Sequence, residues 1–260
     1  LQLSIDEIDA LTGPLAGRPK SATFRTADVV GIDTLIKVAK GVYDNCPNDE
    51  AKDIFNIPAW LNKMVENNWL GDKTGQGFFK KVKTPDGKSD IQVLNLKTME
   101  YTARQKPKFA TLEAAKPIED LPARLKILIN GTDKAGEFYR QFHYSLFSYI
   151  SHRIPEISDE VYRLDDAMMA GFGWEIGAFE SWDASGVAKT TEAMKAAGFT
   201  VAKWVDDMLA AGHNTFYKVE NGKRLYYDIA GKTYKNLPGG DTFLVMKYFT
   251  NQKKKKNSSS

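Results

Sequence analysis

The chain has 260 residues, 42% of them hydrophobic and 12% aromatic, enough to bury one large core or two of ordinary domain size, and two domains are predicted. Its formal charge is +3, but four positive charges sit in the C-terminal block Lys253-Lys254-Lys255-Lys256. The body is therefore nearly neutral, with Lys and Arg interspersed among Asp and Glu, which argues against a nucleic-acid partner.

The single cysteine, Cys46, excludes an internal disulfide and a multi-cysteine zinc site and fits a reducing compartment, with the cytoplasm as the default. No stretch approaches the roughly 18 apolar residues of a membrane span. The N-terminus, Leu1-Gln2-Leu3-Ser4-Ile5-Asp6, lacks the basic-then-apolar order of a signal peptide and does not begin with methionine. A piece of a longer protein is predicted.

A repeat organises everything that follows. Phe24-Arg25-Thr26-Ala27-Asp28-Val29-Val30-Gly31-Ile32 and Phe179-Glu180-Ser181-Trp182-Asp183-Ala184-Ser185-Gly186-Val187 share the frame F-x-x-x-D-x-x-G-aliphatic. Trp60-Leu61-Asn62-Lys63-Met64-Val65 is echoed by Trp204-Val205-Asp206-Asp207-Met208-Leu209, and Phe78-Phe79-Lys80 by Phe216-Tyr217-Lys218, in the same order and with shorter connections in the second copy.

Each copy is predicted to start with a helix, pass through a Gly- and Pro-containing loop and enter a second helix near Thr26 or Ser181. Those two residues are suited to act as N-caps, with Asp28 or Asp183 in the first turn. Ile32, Leu35, Ile36 and Ala39 then fall at helical spacing, as do Val187, Thr191 and Met194, predicting an inward face. A third helix starts near Pro58, with Trp60, Leu61, Met64 and Val65 as its apolar stripe. A β-hairpin closes each copy: Phe78 to Val82, Pro85-Asp86-Gly87, Ile91 to Leu96; then Phe216 to Val219, Asn221-Gly222, Leu225 to Ile229. The predicted organisation is a first domain over 1–104, a linker over 105–121, a second copy over 122–252 that opens on helices broken at Asn130-Gly131-Thr132, and a polar tail over 253–260.

Several fragments imitate nucleotide motifs. Gly87-Lys88-Ser89 and Gly231-Lys232-Thr233 resemble the end of a P-loop, but the upstream glycine is replaced by Val82 or Tyr226, which makes both turns. Gly171-Phe172-Gly173-Trp174-Glu175-Ile176-Gly177 has its last glycine one place late and follows a helical segment, so it is not read as a dinucleotide site. His143, His152 and His213 show no metal-ligand spacing, Cys46 has no catalytic signature around it, and the sequence nominates no nucleophile, no metal ligand and no catalytic residue. Two glycine-containing constellations remain: Leu70-Gly71-Asp72-Lys73-Thr74-Gly75-Gln76-Gly77-Phe78-Phe79, and Gly17-Arg18-Pro19-Lys20-Ser21-Ala22-Thr23-Phe24-Arg25. Local physics reads both as tight turns.

Taken in order, these segments resemble the C-terminal domain of 3-hydroxyacyl-CoA dehydrogenases. Val30-Gly31-Ile32-Asp33-Thr34 and Leu70 to Phe79 match that family's V-G-L-D-T and L-G-x-K-T-G-x-G-F-Y nearly letter for letter, and Gly177-Ala178-Phe179-Glu180 resembles its G-P-F-E. The first copy departs there, with Ala22-Thr23 for Gly-Pro, and the second lacks the K-T-G-x-G run before Phe216.

The resemblance implies a mainly α chain of two tandem helical modules of the 6-phosphogluconate-dehydrogenase C-terminal-like type, each ending in a β-hairpin. It implies that NAD and a histidine–glutamate pair belong to an upstream dinucleotide-binding domain outside this chain, and that these helical modules close over an acyl-CoA substrate. Ser21, Ala22, Thr23 and Phe24 are then nearest the substrate, and the lysine tail leads into a downstream enoyl-CoA hydratase domain. A non-enzymatic helical scaffold that binds another protein is the alternative.

Overall fold

The computed structural model describes residues 1–239; the lysine block, the polar tail and residues 240–252 of the second copy lie outside the described residues. The chain divides into two compact units, Leu1–Lys116 and a second that begins at Pro117. Both are mainly helical, and each carries one small antiparallel sheet.

In the first unit, α1 (Ile5–Leu11) opens on a reciprocal cap: Glu7 N–H donates to Ser4 Oγ at 3.2 Å, and Ser4 N–H to Glu7 Oε2 at 2.7 Å. The helix predicted to run from Thr26 through Ala39 is in fact two helices, α2 (Phe24–Val30) and α3 (Ile32–Asn45). Gly31 separates them at φ 99°, a backbone setting that strains any side chain. Its counterpart Gly186, at φ 86°, separates the helices Ala178–Ser185 and Val187–Ala196 in the second unit.

The predicted inward face of α3 is only partly realised. Ile32 is buried and Ile36 packs on the core, whereas Leu35 and Val38 are exposed, as are Val29 and Val30 on α2. Helical spacing identifies one face but does not say how far neighbouring elements cover it. α4 (Ala59–Glu66) buries Leu61 and Met64 as expected and leaves Val65 exposed. The core gathers Ile5, Ile32, Leu61, Met64, Phe78 and Val93, with Phe24 meeting Phe78 edge-on at 4.6 Å between ring centres.

The closing hairpin has a third strand. β1 (Phe79–Lys83), β2 (Ser89–Asn95) and β3 (Glu100–Ala103) pair in order, with Phe79 opposite Val93 and Asn95 opposite Glu100. The Asn95 side chain accepts Lys97 N–H at 2.9 Å, a local turn that carries the chain into β3. Within 105–121, read from sequence as a linker, α5 (Ala110–Ala115) forms and buries Thr111, Leu112 and Ala115. Its Ala-rich sequence favours helix.

The second unit prefixes its module with α6 (Leu121–Asn130) and α7 (Lys134–His152), broken at Gly131 as expected. Asp120 accepts Ala123 N–H at 3.0 Å and Asp133 accepts Gly136 N–H at 3.1 Å, so each helix has its own cap. The module then repeats the first unit's order: α8 (Val161–Phe172), α9 (Ala178–Ser185), α10 (Val187–Ala196) and α11 (Lys203–Ala210), then β4 (Tyr217–Glu220), β5 (Lys223–Asp228) and β6 (Thr233–Asn236). Phe179, Trp204 and Phe216 occupy the positions of Phe24, Trp60 and Phe78, with Phe179 and Phe216 edge-on at 4.9 Å. Trp182 is fully buried and lies flat on Phe147 of α7, ring centres 4.9 Å apart.

The fragments that imitate nucleotide motifs are turns. Gly87 sits at φ 79° between β1 and β2, Lys232 at φ 51° between β5 and β6, and Gly173 at φ 64° ends α8.

Candidate functional site

Two carboxylates build the first unit's α2 region. Asp9 on α1 accepts Thr23 N–H at 3.1 Å and Phe24 N–H at 2.7 Å through Oδ1, and Arg25 N–H at 3.2 Å through Oδ2. The cap of α2 is therefore a distant side chain and not Thr26, whose hydroxyl lies inside the helix and donates to Ala22 O at 2.6 Å. Burial pushes the Asp9 carboxyl above its ordinary value, and the three backbone N–H groups oppose that rise.

Asp28 is buried and does not act on its own helix terminus. Its two oxygens accept Phe78 N–H at 2.8 Å and Phe79 N–H at 2.9 Å, hanging the sheet from α2. The glycine-rich run before the sheet exists for that contact. A Cβ on Gly77 would stand 2.1 Å from Asp28 Oδ1, and one on Gly71, already at φ 97°, would stand 2.2 Å from the Asp28 carbonyl oxygen.

The same device recurs in the second unit. Asp165 accepts Phe179 N–H at 2.9 Å and Glu180 N–H at 3.0 Å, and Asp183 accepts Phe216 N–H at 2.7 Å and Tyr217 N–H at 2.8 Å. Ser181, predicted as the cap, instead donates to Gly177 O. Tyr217 adds a bond the first unit lacks, its hydroxyl donating to Asp165 Oδ2 at 3.0 Å, and Glu180 is ion-paired with Arg224.

Burial pushes both Asp165 and Asp183 up to about 7. A carboxyl raised in the folded state holds its proton there after the unfolded chain, with its ordinary value near 3.8, has lost its own. The stability these groups contribute is therefore greatest in acid and declines as pH rises from about 4 to about 7. The second unit's thermal midpoint is expected to be about 5 °C higher at pH 5.5 than at pH 8, and Asp183→Asn should flatten that slope. A calorimetric series over that range that is flat for the parent chain contradicts this account.

The predicted site residues do not all share one surface. Ser21 and Ala22 open onto a cleft of about 900 Å³ confined to the first unit, together with Arg25, Asp72, Phe79 and Arg104. Thr23 is exposed and is not part of that lining, its hydroxyl donating to Thr12 Oγ1 at 2.8 Å, and Phe24 turns inward onto Phe78. Ala22 has φ 53°, an unusual setting for a residue with a Cβ, closed by its N–H donating to Pro19 O at 2.9 Å. Sequence reasoning missed Asp9 and Arg104, and it singled out the runs that hold Arg25 and Asp72 without assigning either residue to the site; the four reach the cleft from separate segments.

Among the described residues no cluster of His, Cys, Asp and Glu could hold a metal, and no helix is long and apolar enough to cross a membrane. Both sheets are three-stranded and antiparallel, so they offer no strand–glycine turn–helix cradle for a pyrophosphate.

Residues 2–81 match the family model of the 3-hydroxyacyl-CoA dehydrogenase C-terminal domain. A Bacillus subtilis protein named as a 3-hydroxyacyl-CoA dehydrogenase is 45% identical over 224 residues, covering 86% of this chain and 28% of the relative. A Deinococcus radiodurans protein of the same name is 47% identical over 77 residues, 30% of this chain and 21% of the relative. A Rickettsia prowazekii protein named as a fatty acid oxidation complex trifunctional enzyme is 24% identical over 179 residues, 68% of this chain and 23% of its own length. The chain thus spans less than a third of the length of these relatives.

Proposed function

We propose, from the match of residues 2–81 to the C-terminal domain of the 3-hydroxyacyl-CoA dehydrogenase family, that this chain is the substrate-side and assembly portion of an NAD-dependent enzyme oxidising 3-hydroxyacyl-CoA to 3-oxoacyl-CoA in fatty-acid β-oxidation. The observation that carries this reading is the cleft at the α2 entry, where Ser21 and Ala22 line a space of about 900 Å³ inside the family-matching domain. A ligand site of this kind is a concavity of a few hundred to about 1,000 Å³ with apolar walls and a few fixed polar groups. Phe79 and Ile91 supply apolar wall, and Arg25 and Arg104 are fixed by Asp72 and Asp6.

In this reading NAD and the acid–base pair belong to a dinucleotide-binding domain elsewhere in a longer polypeptide, and an enoyl-CoA hydratase domain is a further partner. The compartment is the cytoplasm. The test is calorimetric titration of the chain with acetoacetyl-CoA and, separately, with NAD. Acetoacetyl-CoA is expected to bind and NAD is not, and no NADH should form from 3-hydroxybutyryl-CoA and NAD. NAD binding, or turnover above a heat-killed control, overturns the assignment. A second reading, a helical protein-interaction module, is favoured by the exposed Val29, Val30, Val38 and Ile54. Silence for both ligands supports that one.

A further inference from the structure

The place that forms the cleft in the first unit can be located in the second, because the two copies share both a sequence frame and a strand register. Arg25 and Phe79 align with Glu180 and Tyr217 in the repeat. Lys81 stands opposite Ile91 as Val219 stands opposite Arg224, so Ile91 aligns with Arg224. In the first unit Arg25, Phe79 and Ile91 border open space. In the second their counterparts close on one another. Arg224 is ion-paired with Glu180 and its guanidinium lies 4.7 Å from the centre of the Tyr217 ring, while the Tyr217 hydroxyl donates to Asp165 Oδ2 at 3.0 Å. Glu180 is anchored at its other oxygen as well, by Gly177 N–H at 3.3 Å.

Two further observations agree. The Arg25 side chain is 44% exposed, whereas that of Glu180 is 17% exposed. Where Ala22 opens onto the cleft, the second unit has Gly177, and a Cβ there would stand 2.2 Å from Asp165 Cγ, so the position has no room for even a methyl group. The lining has also changed character. Lys20, Arg25 and Lys81 stand in the second copy as Glu175, Glu180 and Val219. Arg104, the residue after Ala103 of β3, stands as Leu237 after Asn236 of β6, and Leu237 packs on the core.

We propose that Arg224, Glu180 and Tyr217 form a built-in plug that fills the second unit's copy of the cleft, so that the chain takes ligand in its first unit alone. The count of one ligand per chain rests on the acyl-CoA reading above; the plug is a property of the second unit. A guanidinium held by a carboxylate and laid over an aromatic face supplies both charges and apolar cover from within, leaving the second copy a structural joint.

The experiment is hydrogen exchange on the full chain, read by peptide, with acetoacetyl-CoA and separately with 8-anilinonaphthalene-1-sulfonate, an aromatic anion that enters apolar clefts. The parent is compared with Glu180→Arg/Tyr217→Phe/Arg224→Ile, which gives each position its first-unit residue, and with the milder Arg224→Ala. In the parent, acetoacetyl-CoA is expected to slow exchange in first-unit peptides, and neither probe should slow it over residues 174–182 or 217–226. In both variants the sulfonate should slow exchange of those two segments by about threefold or more. Circular dichroism melting checks that the variants are folded, and Arg224→Ala carries the comparison if the triple variant is not.

Protection of the two segments in the parent by either probe overturns the proposal, as does a folded variant that gains none from the sulfonate. The two readings fail separately. Silence of acetoacetyl-CoA, with the sulfonate behaving as expected, removes the acyl-CoA reading and keeps the plug. First-unit protection by acetoacetyl-CoA with no gain in the variants keeps that reading and removes the plug.

Discussion

Asp28→Ala is expected to destabilise the first unit by about 4 kcal/mol, because it leaves two buried backbone donors without an acceptor at about 1–3 kcal/mol each. The donors are the N–H groups of Phe78 and Phe79, and Phe78 is the central aromatic residue of that unit's core. A domain's whole stability is only about 5–15 kcal/mol, so a loss of this size brings the unit close to unfolding at moderate temperature. Asp28→Asn keeps one oxygen acceptor but turns an amide donor toward the other N–H, and about half the loss is expected, roughly 2 kcal/mol. Hydrogen exchange read on peptides from residues 1–116 resolves this unit from the other. If Asp28→Ala left exchange of the Phe78 and Phe79 amides as slow as in the parent, the carboxylate would not be what holds the sheet.

The second large effect lies in the other unit. Trp182→Ala removes a fully buried indole that lies flat on Phe147 and touches Phe216 at 5.2 Å between ring centres. Such truncations cost about 3–5 kcal/mol, the lost transfer energy adding to the cavity left behind. The first unit has Ala27 at the matching place in its repeat, so the module itself does not need a large side chain there. Trp182 fills the space beside α7, where it stacks on Phe147. The indole Nε1 is buried and has no hydrogen-bond partner among the described residues, so Trp182→Phe, which removes that donor along with one ring, is expected to cost less than about 1.5 kcal/mol. Urea unfolding of both variants checks the order; a phenylalanine variant as unstable as the alanine one would contradict it.

Much of this architecture is legible in the sequence, because the repeat aligns residues that pack together. Phe24 with Phe78, and Phe179 with Phe216, meet in the folded units as the matched segments imply. The helix caps were not legible, since local rules weigh only neighbours. Thr26 and Ser181 have the right chemistry next to the right turn, but the acids that cap the helices stand 15 residues before Phe24 and 14 before Phe179. That near-constant spacing of Asp9 and Asp165 ahead of the repeat was the available signal. The third strands, Glu100–Ala103 and Thr233–Asn236, are short and mostly solvent-facing, so they lack the apolar alternation that announces a strand. The cleft was half visible. Ser21 and Ala22 announce a turn, but the lysines around them come from residues 20, 80, 81 and 106, whose proximity only β1 and the chain after β3 establish.

The way each sheet hangs from its helix sets unequal rules for how the two copies can drift apart. Asp28 and Asp183 address backbone N–H groups, which every amino acid but proline supplies. The strand side of the joint is therefore written in a code that mutation hardly touches, and Phe79 in one copy can stand as Tyr217 in the other. The helix side is written in a single letter. Tyr217 in that place gives its N–H to Asp183 and its hydroxyl to Asp165, so a side chain the joint itself does not require ties both acids of the second copy together.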